Sequence, residues 1–362
     1  MRRFLRLIFI LLLILIILAV LGVGYLTIAE YRPDERETVA PLTVANPMAY
    51  RVGESLDIVS WNIGYGALGD NADFFMDGGK MVNTTDETRV QQNLAGIAGK
   101  LAEWNPDIIL LQEVDRDSSR SHGINETSLI ASTLTGSTGM NRSTAFANNF
   151  KAFVPYPLPP IGQVDSGLFT LTTANIASAE RVALPCPFAW PIRTVNLKRC
   201  LLVTRIPLEN DPHELVIVNL HLEAYDDGAG KAEQARKLAA FLKAEADKGN
   251  YVIAGGDFNQ IFLEADLAGY PVIEGNWQPG RLNTEEFRGM QLQNDRRVPT
   301  CRSLIMPYAG ADRSNFQYYM IDGFIVSDKI AVNSIETVQT DFVFSDHNPV
   351  RMNISLLSDV IY

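Results

Sequence analysis

The residues of this chain best suited to chemistry stand in short runs. Ser345-Asp346-His347 lies near the C-terminal end, and Gly256-Asp257-Phe258-Asn259 lies upstream of it. An imidazole beside a carboxylate, with a second carboxylate and an amide, can direct water at a phosphate ester when a metal ion neutralises the developing charge. Trp61-Asn62, Gln112-Glu113 and Asn219-Leu220-His221-Leu222 are further runs of this kind, placed at the ends of apolar, β-rich stretches. Strand ends on one edge of a sheet converge, so these runs can form one site. Each alone has a plainer explanation: Asn62 as a turn cap, Glu113 as an exposed edge charge, Asp257 as the start of a turn around paired glycines. Their joint occurrence favours the site.

Mg²⁺ takes hard oxygen ligands and keeps several waters, so one or two carboxylates and an amide carbonyl suffice, without a His or Cys cluster. Asn62, Glu113 and Asp346 meet that need, with Mn²⁺ as an alternative ion. Asp257 and His347 are the candidates for orienting and activating the water. Of the four histidines, His122 and His213 read as loop residues. His221 alone would read as an ordinary core or surface histidine, but beside the other runs it fits a donor to the transition state.

The elements that must position these groups are legible in outline. Leu56 to Trp61 and Ile108 to Val114 read as strands, separated by a helix. That helix has a Thr84/Glu87 capping box, a stripe of Val90, Leu94, Ile97 and Leu101, and a stop at Asn105-Pro106. Leu201 to Ile206, Leu215 to Leu222, Tyr251 to Ala254 and Ile321 to Val326 are further strands, and Lys231 to Asp247 is a second helix. The alternation predicts a single α/β or layered α+β domain.

Leu7 to Ala29 carry no charged side chain and as a helix would span roughly 34 Å, enough to cross a bilayer. The length of the run and its bulky end favour an uncleaved anchor over a cleaved secretory signal. Arg2, Arg3 and Arg6 before it predict a cytoplasmic N-terminus and an extracytoplasmic body. Removing these three positive charges from a net charge of -11 leaves -14 on the remainder, which argues against binding polyanions through a broad basic surface. Residues 30–56, with Pro33, Pro41 and Pro47, read as a tether with a reach of about 30 Å, leaving 57–362 as the catalytic domain. Cys186, Cys200 and Cys301 lack zinc-ligand spacing; either Cys186 pairs with Cys200 or all three are free.

From Ile58-Val59-Ser60-Trp61-Asn62 through Leu111-Gln112-Glu113-Val114-Asp115, Asn219-Leu220-His221-Leu222, Gly256-Asp257-Phe258-Asn259, Ile321-Asp322-Gly323-Phe324 and Ser345-Asp346-His347, the chain resembles the endonuclease/exonuclease/phosphatase superfamily, in a membrane-anchored bacterial form. The resemblance covers roughly Asp57 to Ile354. It implies a deoxyribonuclease I-like α/β (α+β) four-layer sandwich: two mixed β-sheets packed face to face with helices outside, here preceded by one N-terminal transmembrane helix. It also implies a divalent ion held chiefly by Glu113 with Asn62 and Asp346 nearby. By the same resemblance, Asp257 and Asn259 orient water and phosphate, His221 stabilises developing charge, Asp322 fixes His347, and Asn219 and Asn259 contact substrate.

Two departures bear on substrate. A Gly-rich insertion between Gly64 and Val82 carries Phe74, Phe75 and Met76, read as a buried loop anchor or as a lipid-touching tip. Thr173 and Ala174 stand where the family has a Ser-basic pair, so a basic contact is either absent or supplied by Arg193, Lys198, Arg199, Arg296, Arg297 or Arg302. The expected activity is metal-dependent hydrolysis of a phosphate ester outside the membrane. A lipid or nucleic-acid phosphodiester is favoured over inositol or sugar monoesters, and a catalytically silent binding module is the alternative of another class. The expected partners are that substrate and, through residues 7–29, the membrane; no protein partner is implied.

Overall fold

The computed structural model describes residues 1–44, 47–262, 265–266 and 268–358. Two mixed sheets dominate. One is built from β1 (Arg36–Val39), β6 (Ser178–Ala183), β7 (Cys200–Pro207), β8 (Glu214–His221), β9 (Tyr251–Asp257), β11 (Asp322–Ser327) and β10 (Met290–Gln293), in that spatial order. The other runs β12 (Ile330–Thr337), β13 (Val350–Leu356), β2 (Ser55–Asn62), β3 (Ile108–Asp115), β5 (Gly162–Thr172) and β4 (Ser143–Val154). Each sheet has one parallel pair, β2 with β3 and β8 with β9, flanked by antiparallel neighbours.

The period of two along each strand builds the layers. Ile58, Ile108 and Leu110 point inward against Leu215, Ile217, Tyr251 and Ile253 of the facing sheet. Their neighbours Val59, Trp61, Ile109 and Leu111 point outward, under the apolar faces of α2 (Glu87–Trp104) and α3 (Glu126–Thr138). On the opposite outer face Val216, Val218, Val252 and Ala254 lie under Ala235, Leu238 and Leu242 of α4 (Ala229–Ala246). The result is the expected four-layer sandwich, its central strands apolar on both faces because both are covered.

Several local expectations change. The α2 cap is Asp86, whose carboxylate accepts from Arg89 N, whereas Thr84 Oγ1 donates to Ala67 O and fastens the preceding loop. Asn105 ends α2 in the left-handed region, at the stop expected from Asn105-Pro106. The region between β3 and β4 contains a helix, α3, whose Ser/Thr-rich sequence shows little periodicity. The three cysteines are free thiols, Cys186 exposed and the other two buried.

The described residues of the 30–56 segment, 30–44 and 47–56, are laid along the body instead of spanning freely. Strand β1 pairs antiparallel with β6, and Tyr50 is buried with its hydroxyl bonded to Asp107 O, Thr172 Oγ1 and Thr173 Oγ1. Short strands and isolated bridges leave no periodic signature in a Pro-containing stretch. Ahead of this segment, an apolar helix α1 (Arg2–Ile28) is long and apolar enough to cross a membrane, and no residue of it is fully buried by the domain.

α4 is tied to β7 through Glu245. Arg205 Nη1 and Nη2 lie 3.0 and 2.8 Å from its two oxygens, and Lys248 and Asn250 add donors at 2.7 and 2.9 Å. Burial opposes the charge, yet these partners hold the carboxyl down at about 2. We expect Glu245→Gln to destabilise the protein at pH 7 by about 1–3 kcal/mol. Because the folded-state value is depressed, the wild-type advantage is complete above the ordinary value of 4.5 and is lost as pH falls toward about 2. Denaturant unfolding of both proteins at pH 7 and about pH 3 measures it; an equal difference at both would contradict the pairing.

Candidate active site

The C-terminal ends of parallel strands and the N-terminal ends of their antiparallel neighbours share one edge of a sheet. Asn62 closes β2, His221 closes β8, Asp257 closes β9, Asp322 opens β11 opposite Asp257, and Asp346 and His347 precede β13. Glu113 needs more than strand order. Its backbone has φ 54 and the β3–β5 register shifts between Leu111 and Val114, so a bulge re-aims its side chain into the cleft. A non-glycine residue in that region carries strain, which the surrounding sheet must hold.

The groups form a connected cluster. Asn62 Nδ2 donates to Glu113 Oε1 at 3.0 Å and to Asp257 Oδ2 at 3.1 Å. His347 Nδ1 is 2.9 Å from Asp322 Oδ2, while its backbone is held by Ser345 Oγ and by Trp61 Nε1, which donates to His347 O at 2.9 Å. His221 Nε2 lies 3.4 Å from Asp257 Oδ2, and its buried Nδ1 has no hydrogen-bond partner among the described residues. Asn259, at φ 49, receives Asp257 Oδ1 on its backbone N–H and donates its amide to Leu222 O. The paired glycines ahead of Asp257 have a steric reason: a Cβ on Gly256, at φ +150, would stand 2.0 Å from Leu220 O.

Burial and neighbouring charges divide the two imidazoles. Burial works against a charged His347, but Cys301, Asp322 and Asp346 outweigh it and raise the ring well above its ordinary value. His221 moves the other way, lowered by burial first and then by Arg199, His347 and Arg120. The carboxylates are also perturbed. Burial and the Asp322 charge push Asp257 up to about 7, and burial with Glu113 pushes Asp346 up to about 6. Among the described residues no lysine or arginine forms a side-chain ion pair with Glu113, Asp257 or Asp346; Glu113 and Asp257 lie beside histidines instead.

Potential ligand atoms gather most tightly in Cys301–Asp346–His347 and Asp257–Asp322–His347. Both groups use His347, whose Nδ1 is engaged by Asp322, and the Cys301 thiol is pushed up to about 12 by burial. Glu113 stands outside both groups, its side chain partly open to the cleft. The remaining candidate ligand atoms are carboxylate oxygens of Glu113 and Asp346 and the Asn62 amide oxygen, which accepts from Gly64 N and keeps a second lone pair, a hard set suited to a cation of the Mg²⁺ class.

The cleft has a volume of about 290 Å³ and is lined at one end by Glu113, His221, Asp257, Asn259, Asp346 and His347. Asn219 does not reach it. Its amide donates to Leu111 O and Phe169 O at 3.1 Å each and its oxygen accepts from Gln112 Nε2 at 2.8 Å, so it joins the two sheets beneath the site. Thr173 lies at the far end of β5, bonded to Tyr50, because β5 runs antiparallel to β3; Ser166 faces the cleft instead. Of the basic candidates, Arg199 and Arg302 line the cleft and Arg193, Lys198, Arg296 and Arg297 do not. Arg120 also lines it, gripped by both oxygens of Asp115 and stacked 3.7 Å from the Tyr65 ring centroid. The sequence offered no motif for Arg120.

The insertion forms one rim. Asp73 closes it by accepting from Lys80 N and Met81 N, Phe74 and Phe75 are half-buried, and Met76 and Asp77 line the cleft. Tyr225 from the opposite rim donates to Asp77 Oδ1 at 3.1 Å. We expect Asn219→Ala to destabilise the fold by about 2–4 kcal/mol, since buried carbonyls lose their donors. Phosphate-ester KM of the folded protein should be unchanged; a raised KM with unaltered thermal stability would return Asn219 to the substrate.

A model of the endonuclease/exonuclease/phosphatase family matches residues 59–347. Similar solved structures include an endonuclease/exonuclease/phosphatase from Beutenbergia cavernae, 18% identical with a TM-score of 0.56, covering 85% of this chain and 73% of that one. A family protein from Leptotrichia buccalis is 16% identical with a TM-score of 0.54, covering 83% and 100%. The human nocturnin catalytic domain, solved with a bound sulfate anion, is 15% identical with a TM-score of 0.50, covering 88% and 97%. A search of curated proteins finds no match. At these identities the structures speak for the fold, and the family model speaks for the ordered motifs that the fold aligns. With strand ends, motif order and sandwich in agreement over residues 59–347, the chain belongs to the endonuclease/exonuclease/phosphatase family.

Proposed function

We propose that this chain is a membrane-anchored, extracytoplasmic phosphoesterase that requires a divalent cation, Mg²⁺ with Mn²⁺ as substitute, and prefers phosphodiesters. The supporting observation is the gathering of Glu113, Asp257 and Asp346 with no lysine or arginine ion-pair partner among the described residues. Burial with the Asp322 charge raises Asp257 to about 7, and burial with the Glu113 charge raises Asp346 to about 6, a tension that a bound cation relieves. Glu113, Asp346 and the Asn62 amide would hold the ion. When bound, it neutralises charge gathering on the phosphoryl oxygens.

The remaining work falls to the chain's own groups. Asp257 accepts the proton of the attacking water, with Asn259 placing water and phosphate beside it. His347, charged and oriented by Asp322, donates to a phosphoryl oxygen, and neutral His221 offers a second donor. The rest of the cleft favours a diester over a polar inositol or sugar monoester, because Phe150, Val154 and Phe188 are among its walls. Helix α1 and its leading arginines support an anchored body outside the cytoplasm.

Removing divalent ions with a chelator should abolish hydrolysis of bis(p-nitrophenyl) phosphate, and Mg²⁺ should restore it. Glu113→Gln and His347→Ala should each lower kcat/KM by about 10²-fold or more with circular dichroism unchanged; undiminished turnover after chelation would sink the proposal. Topology has its own test. A membrane-impermeant maleimide should label the exposed Cys186 in intact cells, and Cys186→Ser should remove that label. Labelling only after lysis would place the domain inside.

A further inference from the structure

The active-site cleft also has a largely apolar arm. Away from the carboxylates its walls are Phe150, Val154, Ile161, Phe188, Val195 and Leu197. The end of the anchor helix packs at this apolar arm. Leu26 lies against the cluster of Phe150, Val154, Ile161 and Val195. Trp190 Nε1 donates to Thr27 Oγ1 at 3.0 Å, and Arg32 Nη2 donates to Thr27 O at 3.0 Å. Glu30 then bonds Lys198 at 3.0 Å and pairs with Arg193 at 3.3 Å. The domain is thus clasped to the outer end of its own span, with the apolar arm at the point of emergence.

Two loops beside this clasp expose large apolar side chains. Leu158 is 91% exposed and Tyr156 and Phe153 flank it, while Ile192 and Trp190, 57% and 56% exposed, stand on the segment that meets the helix. Singly exposed apolar residues are ordinary; several grouped beside a membrane-spanning helix, with Trp and Tyr among them, match a bilayer-interface surface. Arg32 and Arg193, both substantially exposed, stand at the same place, where they can meet lipid phosphates.

We infer that the cleft acts at the bilayer surface on a phospholipid, with the loops at 153–158 and 190–192 seated in the interface and the apolar arm receiving hydrocarbon of a lipid raised from the membrane. This rests on the phosphoesterase reading and names its substrate class. Water's oxygen bonds to phosphorus, the phosphorus–oxygen bond to the leaving alcohol breaks, and the water proton ends on that alcohol. A polyanionic nucleic acid is the poorer fit to an apolar arm on a body with a net charge of -11 before its three leading arginines are set aside.

The test uses the full chain in proteoliposomes of phosphatidylcholine and phosphatidylglycerol with Mg²⁺. Brominated lipids should quench a fluorescence component that Trp190→Phe removes. The paired substitution Leu158→Ser and Ile192→Ser should lower lipid hydrolysis, followed by mass spectrometry of the products, by about tenfold. Turnover of bis(p-nitrophenyl) phosphate by the same variant should be unchanged, since neither residue lines the cleft. Absence of Trp190 quenching, lipid turnover equal in variant and parent, or cleavage of the soluble ester without the lipid would each overturn the inference. If neither ester is cleaved, the phosphoesterase reading itself fails and the lipid substrate with it.

Discussion

The face-to-face packing of two parallel strand pairs, β2–β3 and β8–β9, is the constraint on which everything else depends. Ile58, Ile108 and Leu110 meet Leu215, Ile217 and Ile253 in a seam where every backbone group must be paired within the sheets. Near the site end of that seam sits one polar crosslink, Gln112 to Asn219 to the carbonyls of Leu111 and Phe169. This buried network, centred on the Asn219 amide, ties one sheet to the other and sets the depth and register of their packing. Once that register is set, Asn62 and Asp257 arrive 3.1 Å apart from different sheets.

The same geometry gives like residues unlike chemistry. His347 and His221 stand at one site, yet a carboxylate on Nδ1 favours the charged ring of the first while burial and nearby cations keep the second neutral. Environments that drive titratable groups apart are a recurring mark of acid-base division in active sites. The carboxylates show the complementary effect, since three of them share one cleft without a lysine or arginine side chain paired to any among the described residues. Stability alone offers no reason to gather them so.

The N-terminal segment extends this logic to helix α1. A flexible tether of its length would have let the body wander about 30 Å from the end of that helix. Pairing of Arg36–Val39 with β6, burial of Tyr50 and the Glu30 contacts remove that freedom. The cleft is consequently fixed beside the end of α1, and the short β1 strand covers the edge of β6.

What the sequence determined by itself was whatever a local pattern encodes. The branched runs at 108–114 and 215–222, the stripe of α2 and the polar residues following each strand are set by periods of 2 and 3.6, so fold class and most of the site were legible. Asn62, His221, Asp257, Asn259, Asp322, Asp346 and His347 converge because strand ends do, and Glu113 joins them through a bulge in β3. The tertiary structure decided what depends on partners distant in the chain. Asn219 turns inward because the facing sheet offers buried carbonyls, and Thr173 is carried to the far edge by an antiparallel strand. Asp86 displaces Thr84 as the cap because Thr84 is claimed by Ala67 O. Arg120 enters the cleft by stacking on a tyrosine in the loop after β2, and the tether becomes a strand because β6 presents an open edge. None of these has a local signature, since each is chosen by the burial and hydrogen-bond needs of groups that only folding brings together.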